Sequence, residues 1–341
     1  MKILIKCPSF NKHGGIRVLI EHANGLARLG HEVYFQVINS GQKPDWIAVS
    51  PEVEIVYGNA YFPKGFFDVI LAGSPFVALD VYAQYPGVRS FMFLQMCEEL
   101  FNPENKQYVD SCIKAYRLPM PIIGISQWNK ERIYFQHGRN PELPYHIIGN
   151  GVGDEFKPGK KDDGLTVLVE GWIGYNHAKD TNALGPKVAK RLKEDYGARV
   201  IAYSQFPKNT TQFGTLPFLN CYDVPDEYYV GPNTETIVEL NQRAHILVKA
   251  SRFDARSCAP VEAMKCGTPT SRAIELGDDD LIHGINSIRC AYDEQELYAA
   301  AAELIENTRL RESLTAGGLE YAKTELSWDK WTKELEKIIT E

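Results

Sequence analysis

The first 37 residues, MKILIKCPSFNKHGGIRVLIEHANGLARLGHEVYFQV, carry the pattern from which the fold is read. Residues 3–5 form a short apolar run closed by Cys7, Pro8 and Ser9, which predicts a strand and then a loop. After the loop 11–15 (NKHGG), apolar residues recur at Val18, Leu19, Ala23, Leu26, Ala27 and Leu29. That is helical spacing. Gly30 suits the residue just past a helix end, and 32–37 restarts a strand. Strand, turn, helix, strand is one unit of a parallel sheet. Further strands are expected at 53–56, 69–72, 90–95 and 122–125.

At 149–153 (GNGVG) the texture changes, and 154–164 is polar, glycine-containing and turn-prone, the composition of a linker. The alternation then resumes, with strands at 165–169, 199–203 and 245–249 and helices at 183–194, 234–244, 260–266, 295–306 and 310–324. A last helix, 327–339, carries Trp328, Trp331, Leu335 and Ile338 on one face. The expected fold class is α/β, with two Rossmann-like doubly wound domains facing across a cleft. The first is expected to span 1–153, with 325–341 packing back on it, and the second 154–324. Ligands of open α/β sheets bind outside the carboxyl ends of the strands, so both halves are expected to contribute to a site.

Composition bounds what that site can serve. A chain of 341 residues suggests about two domains. Its 37 Lys and Arg against 44 Asp and Glu give a net charge of −7, which disfavours a protein that coats nucleic acid or anionic lipid. The seven cysteines (Cys7, Cys97, Cys112, Cys221, Cys258, Cys266, Cys290) make neither a CxxC pair nor a zinc spacing, and read as buried thiols in a reducing compartment. No apolar run reaches a membrane span of about 18 residues, and the chain opens as a strand without a signal-peptide layout, so a cytoplasmic location is expected. The segment 105–118, with Lys106, Lys114 and Arg117, reads as a surface helix, peripheral membrane contact being its second reading.

The most informative stretch is 251–269, SRFDARSCAPVEAMKCGTP, in which Asp254 and Glu262 stand eight positions apart across a small-residue loop that opens a helix. This resembles the E-x7-E signature of retaining GT-B glycosyltransferases of the GT4-like family, with Asp254 where the first Glu is usual and Glu262 matching the second. The resemblance extends to Gly14 and Gly15 before the first helix, the 149–152 linker, Gly277 with the acids 278–280 leading into 283–286 (HGIN), and Ser327-Trp328. Two positions depart from it. Trp172 stands where relatives carry an Arg on the donor diphosphate, and Gln95 stands at the end of a strand where many carry a His.

The resemblance implies a nucleotide-diphosphate-sugar donor on the second domain and a hydroxyl acceptor, a saccharide first, on the first. Asp254, Glu262 and Gln95 are the implied catalytic set, with Glu262 on the ribose hydroxyls and Asp254 facing the sugar. Gly14, Gly15, Lys179, Arg256, Cys258 and Ala259 would hold the diphosphate, whose growing charge suits backbone amides at a helix N-terminus. His13, Glu98 and Glu99 are acceptor candidates. Arg252 or Arg256 would replace the charge missing at Trp172. The nucleobase is expected against 203–206 and 223–227. The acids 278–280 are expected to start a helix rather than bind a metal, and neither metal nor cofactor is implied.

Other readings stay open. A nicotinamide oxidoreductase would want G-x-G-x-x-G after the first strand, which residues 14–18 (GGIRV) lack. A nucleotide-sugar epimerase, a non-catalytic nucleotide-sugar-binding protein, and a glycosyltransferase acting on modified DNA bases are the remaining alternatives.

Overall fold

The computed structural model describes residues 1–39, 43–171, 179, 183–205, 207 and 223–341, with the backbone of 210–211 and 214–215. The chain divides into two compact units, Met1–Gly151 with Ser327–Glu341, and Val152–Leu326.

The first unit runs β1 (Lys2–Cys7), α1 (Gly14–Arg28), β2 (Glu32–Val37), β3 (Val53–Tyr57), β4 (Val69–Ala72), α2 (Pro75–Gln84), β5 (Arg89–Leu94), α3 (Lys106–Tyr116), β6 (Ile122–Gly124), α4 (Gln127–Glu131) and β7 (Tyr145–Ile147). Its seven strands are ordered β3-β2-β1-β4-β5-β6-β7, all parallel. β1 and β4 are apolar on both faces because both faces are covered, the signature of a sheet with helices on each side. Leu4, Ile70, Met92 and Ile122 pack with Val77 and Val81 of α2 on one face. Gly30 turns the chain out of α1 at φ 89°, a left-handed position that a side chain would strain.

The second unit runs β8 (Thr166–Glu170), α5 (Leu184–Tyr196), β9 (Arg199–Ser204), the two-residue antiparallel strands β10 (Thr210–Thr211) and β11 (Gly214–Thr215), β12 (Glu227–Val230), α6 (Thr234–Arg243), β13 (Ile246–Ala250), β14 (Phe253–Asp254), α7 (Cys258–Lys265), β15 (Thr270–Ala273), β16 (Leu276–Gly277), β17 (Ser287–Cys290), α8 (Glu294–Glu306) and α9 (Thr308–Glu325). Its main sheet is ordered β12-β9-β8-β13-β15-β17, again all parallel. Val167, Val200 and Val248 pack under α5 and α8 on one face, and Leu168, Ile201 and Leu247 meet Ala259 and Ala263 of α7 on the other.

Both sheets therefore have a 3-2-1-4-5-6 core, the doubly wound order predicted from the alternation. Strand order reverses between β1 and β4 in the first unit and between β8 and β13 in the second. At these switch points loops diverge and leave a crevice at the carboxyl edge. Two expectations need correction against this frame. Glu227 opens β12 and Asp226 precedes it, so both lie at the amino edge, where they pair with Lys193, Arg199 and Arg243, away from the edge at which a nucleobase would be bound. The acids 278–280 start no helix; they turn the chain after β16, with Leu281 N donating to Asp278 O at 3.1 Å.

The last helix, α10 (Trp328–Thr340), belongs to the first unit and lies along α1. A Cβ at Gly25 of α1 would stand 2.6 Å from Thr332 Cγ2, so only glycine lets the helices approach this closely. At Gly151 an added Cβ would collide with the backbone nitrogen of Trp328, which cannot rotate away. Gly151→Ala is therefore expected to destabilise the first unit by about 1–3 kcal/mol, the usual cost of overpacking, read as a lower denaturant midpoint at unchanged slope.

Candidate functional site

In the second unit the carboxyl edge is lined with charge. β8 ends at Glu170, which forms an ion pair with Lys249 of the neighbouring β13. Lys249 lies in register with Arg272 of β15, so three charged side chains follow one another across the sheet edge. Gly171 then turns the chain at φ 71°. The Lys179 backbone carbonyl accepts from the Arg252 N–H at 2.6 Å, and its ammonium forms an ion pair with Asp254 Oδ1.

Asp254 is 8% exposed. Its strand β14 pairs in parallel with β16, Asp254 opposite Gly277, and Asp278 N donates to Asp254 O at 2.8 Å. Its second oxygen accepts from Arg272 Nη2 at 3.1 Å. Burial alone would raise this carboxyl, but the charges of Lys179, Arg272 and Lys249 overcome it and hold the group down to about 2. Asp254 is therefore an anion throughout the physiological range.

α7 begins four residues later, capped by Ser257. The first turn carries the backbone amides of Cys258 and Ala259 and then Pro260, which has no N–H to leave unsatisfied. Glu262 stands one turn beyond Cys258 on the same helix face and is 6% exposed. The short loop between β14 and α7 thus places two buried carboxylates around one helix N-terminus, where the macrodipole favours negative charge.

Arg256, expected at the diphosphate, is engaged by a carboxylate. Its guanidinium forms an ion pair with Asp280 Oδ1, which also accepts from Tyr321 OH at 2.8 Å. Burial raises the Asp280 carboxyl, an effect that Arg256 partly offsets. Arg252 pairs with Glu275 at 3.3 Å with both side chains more than 40% exposed, a contact of little energetic weight. Trp172, Phe206 and Cys221 lie outside the described residues.

In the first unit the expected residues gather at the ends of β1 and β5. His13 caps α1, its ring Nδ1 accepting from Ile16 N at 3.4 Å. Gln95, just past β5, donates to Gly15 O at 2.9 Å, and a Cβ at Gly15 would meet both His13 Nδ1 at 3.3 Å and Gln95 Nε2 at 3.4 Å. Gly14 is exposed beside them. His13, Gly14, Gly15 and Gln95 thus form one turn, with Gln95 fixing its backbone.

Glu98 and Glu99 follow in a 3-10 turn and part company. Glu99 is buried, with Oε1 accepting from Arg132 Nε at 2.6 Å and His137 Nε2 at 2.8 Å, and Oε2 from Tyr116 OH at 2.7 Å. Burial would raise its carboxyl, but these donors lower it to about 2. Both of its oxygens are engaged inside the unit, which corrects its pairing with Glu98 as an acceptor contact. Glu98 is half-buried, and burial together with the neighbouring Glu99 charge pushes its carboxyl up to about 8.

Glu98 consequently keeps its proton in the folded chain while the unfolded chain has lost it. Between the ordinary value near 4.5 and about 8 the folded state binds more protons, so this group's contribution to stability falls as pH rises through that window. Glu98→Gln is expected to match the wild type near pH 5 and to exceed its melting temperature near pH 8. Parallel thermal melts across the window check this, and an unchanged difference would remove the raised carboxyl from the description.

The residues that sequence reasoning missed are Glu170, Lys249 and Arg272, and the pairing role of Asp278. The available signal was one arginine inside the small-residue run 270–273 (TSRA) after Pro269. Among the described residues, no three His, Cys, Asp or Glu side chains group in a way that could hold a metal ion. Nor is any described helix long and apolar enough to cross a membrane.

No family model matches the sequence, and no curated protein matches it. Solved structures do match the fold. Sucrose-phosphate synthase from Thermosynechococcus elongatus superposes with a TM-score of 0.76 at 14% identity, covering 99% of this chain and 98% of that one. Anabaena Alr3699/HepE, solved with UDP and glucose, gives 0.71 at 15% identity over 100% and 99%. S. aureus TarM, solved with UDP, Fondaparinux and alpha-GlcNAc-glycerol as a G117R mutant, gives 0.77 at 9% identity over 100% of both chains. The two doubly wound sheets are those of the GT-B fold.

Proposed function

We propose that this chain is a GT-B glycosyltransferase of the GT4-like type, which moves a sugar from a nucleotide-diphosphate donor to a hydroxyl acceptor with retention of anomeric configuration. The observation that carries the reading is the pair of buried carboxylates, Asp254 and Glu262, set around the N-terminus of α7 at the carboxyl edge of the second sheet. That arrangement suits a ligand with a phosphate between two hydroxylated rings. The helix end takes the phosphate and a carboxylate takes each ring.

In this scheme the amides of Cys258 and Ala259 and the Lys179 ammonium stabilise the charge that grows on the diphosphate as the glycosidic bond breaks. Glu262 accepts from the ribose hydroxyls. Asp254, fixed as an anion, orients the sugar and stabilises its oxocarbenium-like state. The acceptor binds the first unit, where Glu98, protonated near neutrality, and His13 meet its hydroxyls and Gln95 holds the Gly14–Gly15 turn. The departing phosphate oxygen takes the acceptor proton, so no protein base enters the step. Arg256 supports the fold through Asp280 and leaves the diphosphate to Lys179 and the amides.

A panel of UDP-, GDP-, dTDP- and ADP-sugars tests this by thermal shift, because a ligand that prefers the native state raises its melting point. At about a hundred times its Kd the stabilisation is about 2.7 kcal/mol. Uridine diphosphate sugars come first, since two of the similar structures hold UDP. Stabilisation by one nucleotide class, with slow release of its sugar to water, supports the transferase. Binding with neither transfer nor hydrolysis would favour a non-catalytic nucleotide-sugar-binding protein, and stabilisation by none would overturn the reading.

A further inference from the structure

Arg272 is fully buried in β15, an interior strand of the second sheet. Removing a guanidinium from water costs several kcal/mol, and an apolar side chain of like volume would often serve stability as well or better. What the arginine gains there is geometry. Its Nη2 donates to Asp254 Oδ2 at 3.1 Å and its Nε to Asp278 Oδ2 at 2.5 Å, while Nη1 is buried without a hydrogen-bond partner among the described residues.

Asp278 is itself in an unusual state. It is buried and holds a left-handed backbone at φ 59°, a conformation uncommon outside glycine. From there its Oδ1 accepts from the backbone N–H of Ser257, the cap of α7, at 2.8 Å, and its own N–H binds the Asp254 carbonyl at 2.8 Å. Arg272 and Asp278 thus bind together the side chain of Asp254, its backbone, and the first turn of α7.

The two cations that hydrogen-bond Asp254, beside the more distant charge of Lys249, are not equivalent. Lys179 is 27% exposed and Arg272 is 0% exposed, so only the first can move to a ligand. We propose that Arg272 and Asp278 are positioning residues: they keep Asp254 an oriented anion at the head of α7 when Lys179 leaves it for the donor diphosphate. A diphosphate with two negative charges draws an ammonium more strongly than one carboxylate does. Were Lys179 the only counter-ion, its departure would strand a buried carboxylate, which would take up a proton and lose its hold on the sugar. With Arg272 fixed beneath it, Asp254 changes one partner and keeps the other. No bond is made or broken in this exchange. The depressed Asp254 carboxyl, to which Lys179, Arg272 and, without a hydrogen bond to it, Lys249 contribute, accords with it.

This rests on the nucleotide-sugar reading, and the test separates the two. The full chain is titrated calorimetrically near pH 6 with UDP-glucose, or with whichever diester sugar nucleotide of the panel it binds, in buffers of different ionisation enthalpy. Such a diphosphate carries no proton that titrates near neutrality, so proton uptake reports the protein. Wild type is expected to take up almost none, Arg272→Met about one proton per ligand, and Arg272→Lys, which retains the charge, to return towards wild type. A purely structural arginine would lower stability without changing proton uptake. Binding by all three with equal uptake overturns the proposal, as does uptake of about one proton by wild type, which needs no variant to fold. Failure of wild type to bind any of the panel defeats the nucleotide-sugar reading instead.

Discussion

Asp254→Asn is expected to lower kcat for sugar transfer by about 10²–10³ while leaving the donor KM unchanged or lower, the effect of losing one preorganised charge from the reacting centre. The asymmetry follows from the ion pairs. In the resting chain Asp254 holds Lys179, and in the proposed scheme that ammonium goes to the diphosphate on donor binding. Neutralising Asp254 releases Lys179 in advance, so donor binding loses nothing, whereas the sugar loses its oriented anion. Arg272 keeps its second partner, Asp278, so the buried arginine is not left without a carboxylate. Glu262→Gln should show the opposite split, a raised donor KM with a smaller change in kcat, because its proposed contact with the ribose is the same in ground and transition states. Steady-state kinetics with the donor identified by thermal shift check both. Turnover near wild type in both variants would remove the carboxylates from the mechanism.

Ending the chain after Leu326 is expected to abolish cooperative folding of the first unit while the second keeps its own transition. The deleted helix α10 contributes Leu335, Ile338 and Ile339, all buried, at about 1.5–3 kcal/mol each. It also contributes Trp328, whose ring meets the buried His22 edge-on at 5.5 Å, and the Ile338 carbonyl that accepts from Arg89 at 3.0 Å. Three buried side chains alone approach the whole stability of a typical domain, about 5–15 kcal/mol. Differential calorimetry should show two transitions in the full chain and one in the truncated chain. Leu335→Ala, a milder lesion, should lower the first-unit transition by about 2–5 kcal/mol.

The architecture was legible because its elements are long and periodic. β1, β4, β5, β8 and β13 are apolar runs buried on both faces, and α1 shows its spacing from Val18 to Leu26 without interruption. What escaped the sequence was short or polar. β7 has three residues, and β15 reads Thr-Ser-Arg-Ala, a run with no apolar signature, whose arginine pairs with one aspartate 18 residues before it and another six residues after it. The strand direction that puts Asp226 and Glu227 at the amino edge depends on where β12 begins, which composition does not mark.

The candidate site divides in the same way. Asp254 and Glu262 could be proposed from the sequence because their spacing around a helix start is local, whereas Lys179 meets Asp254 only across 75 residues of chain. Arg272 was missed, and Arg256 was given the role of a free cation, because both depend on contacts with Asp278 and Asp280 that fold back from more than twenty residues downstream or a few residues beyond. Glu98 and Glu99 are neighbours in sequence with opposite fates, decided by Arg132, His137 and Tyr116. Short-range patterns suggest candidate residues; long-range ion pairs decide how those residues are charged and held.

Whether α7 and its two carboxylates hold a sugar nucleotide can be seen in a crystal structure of the chain with the donor that stabilises it. The diphosphate is expected against the amides of Cys258 and Ala259, Glu262 on the ribose, and Lys179 moved from Asp254 to a phosphate oxygen. A nucleotide bound elsewhere on the chain, or one at α7 with Glu262 turned away from the ribose, would contradict this expectation.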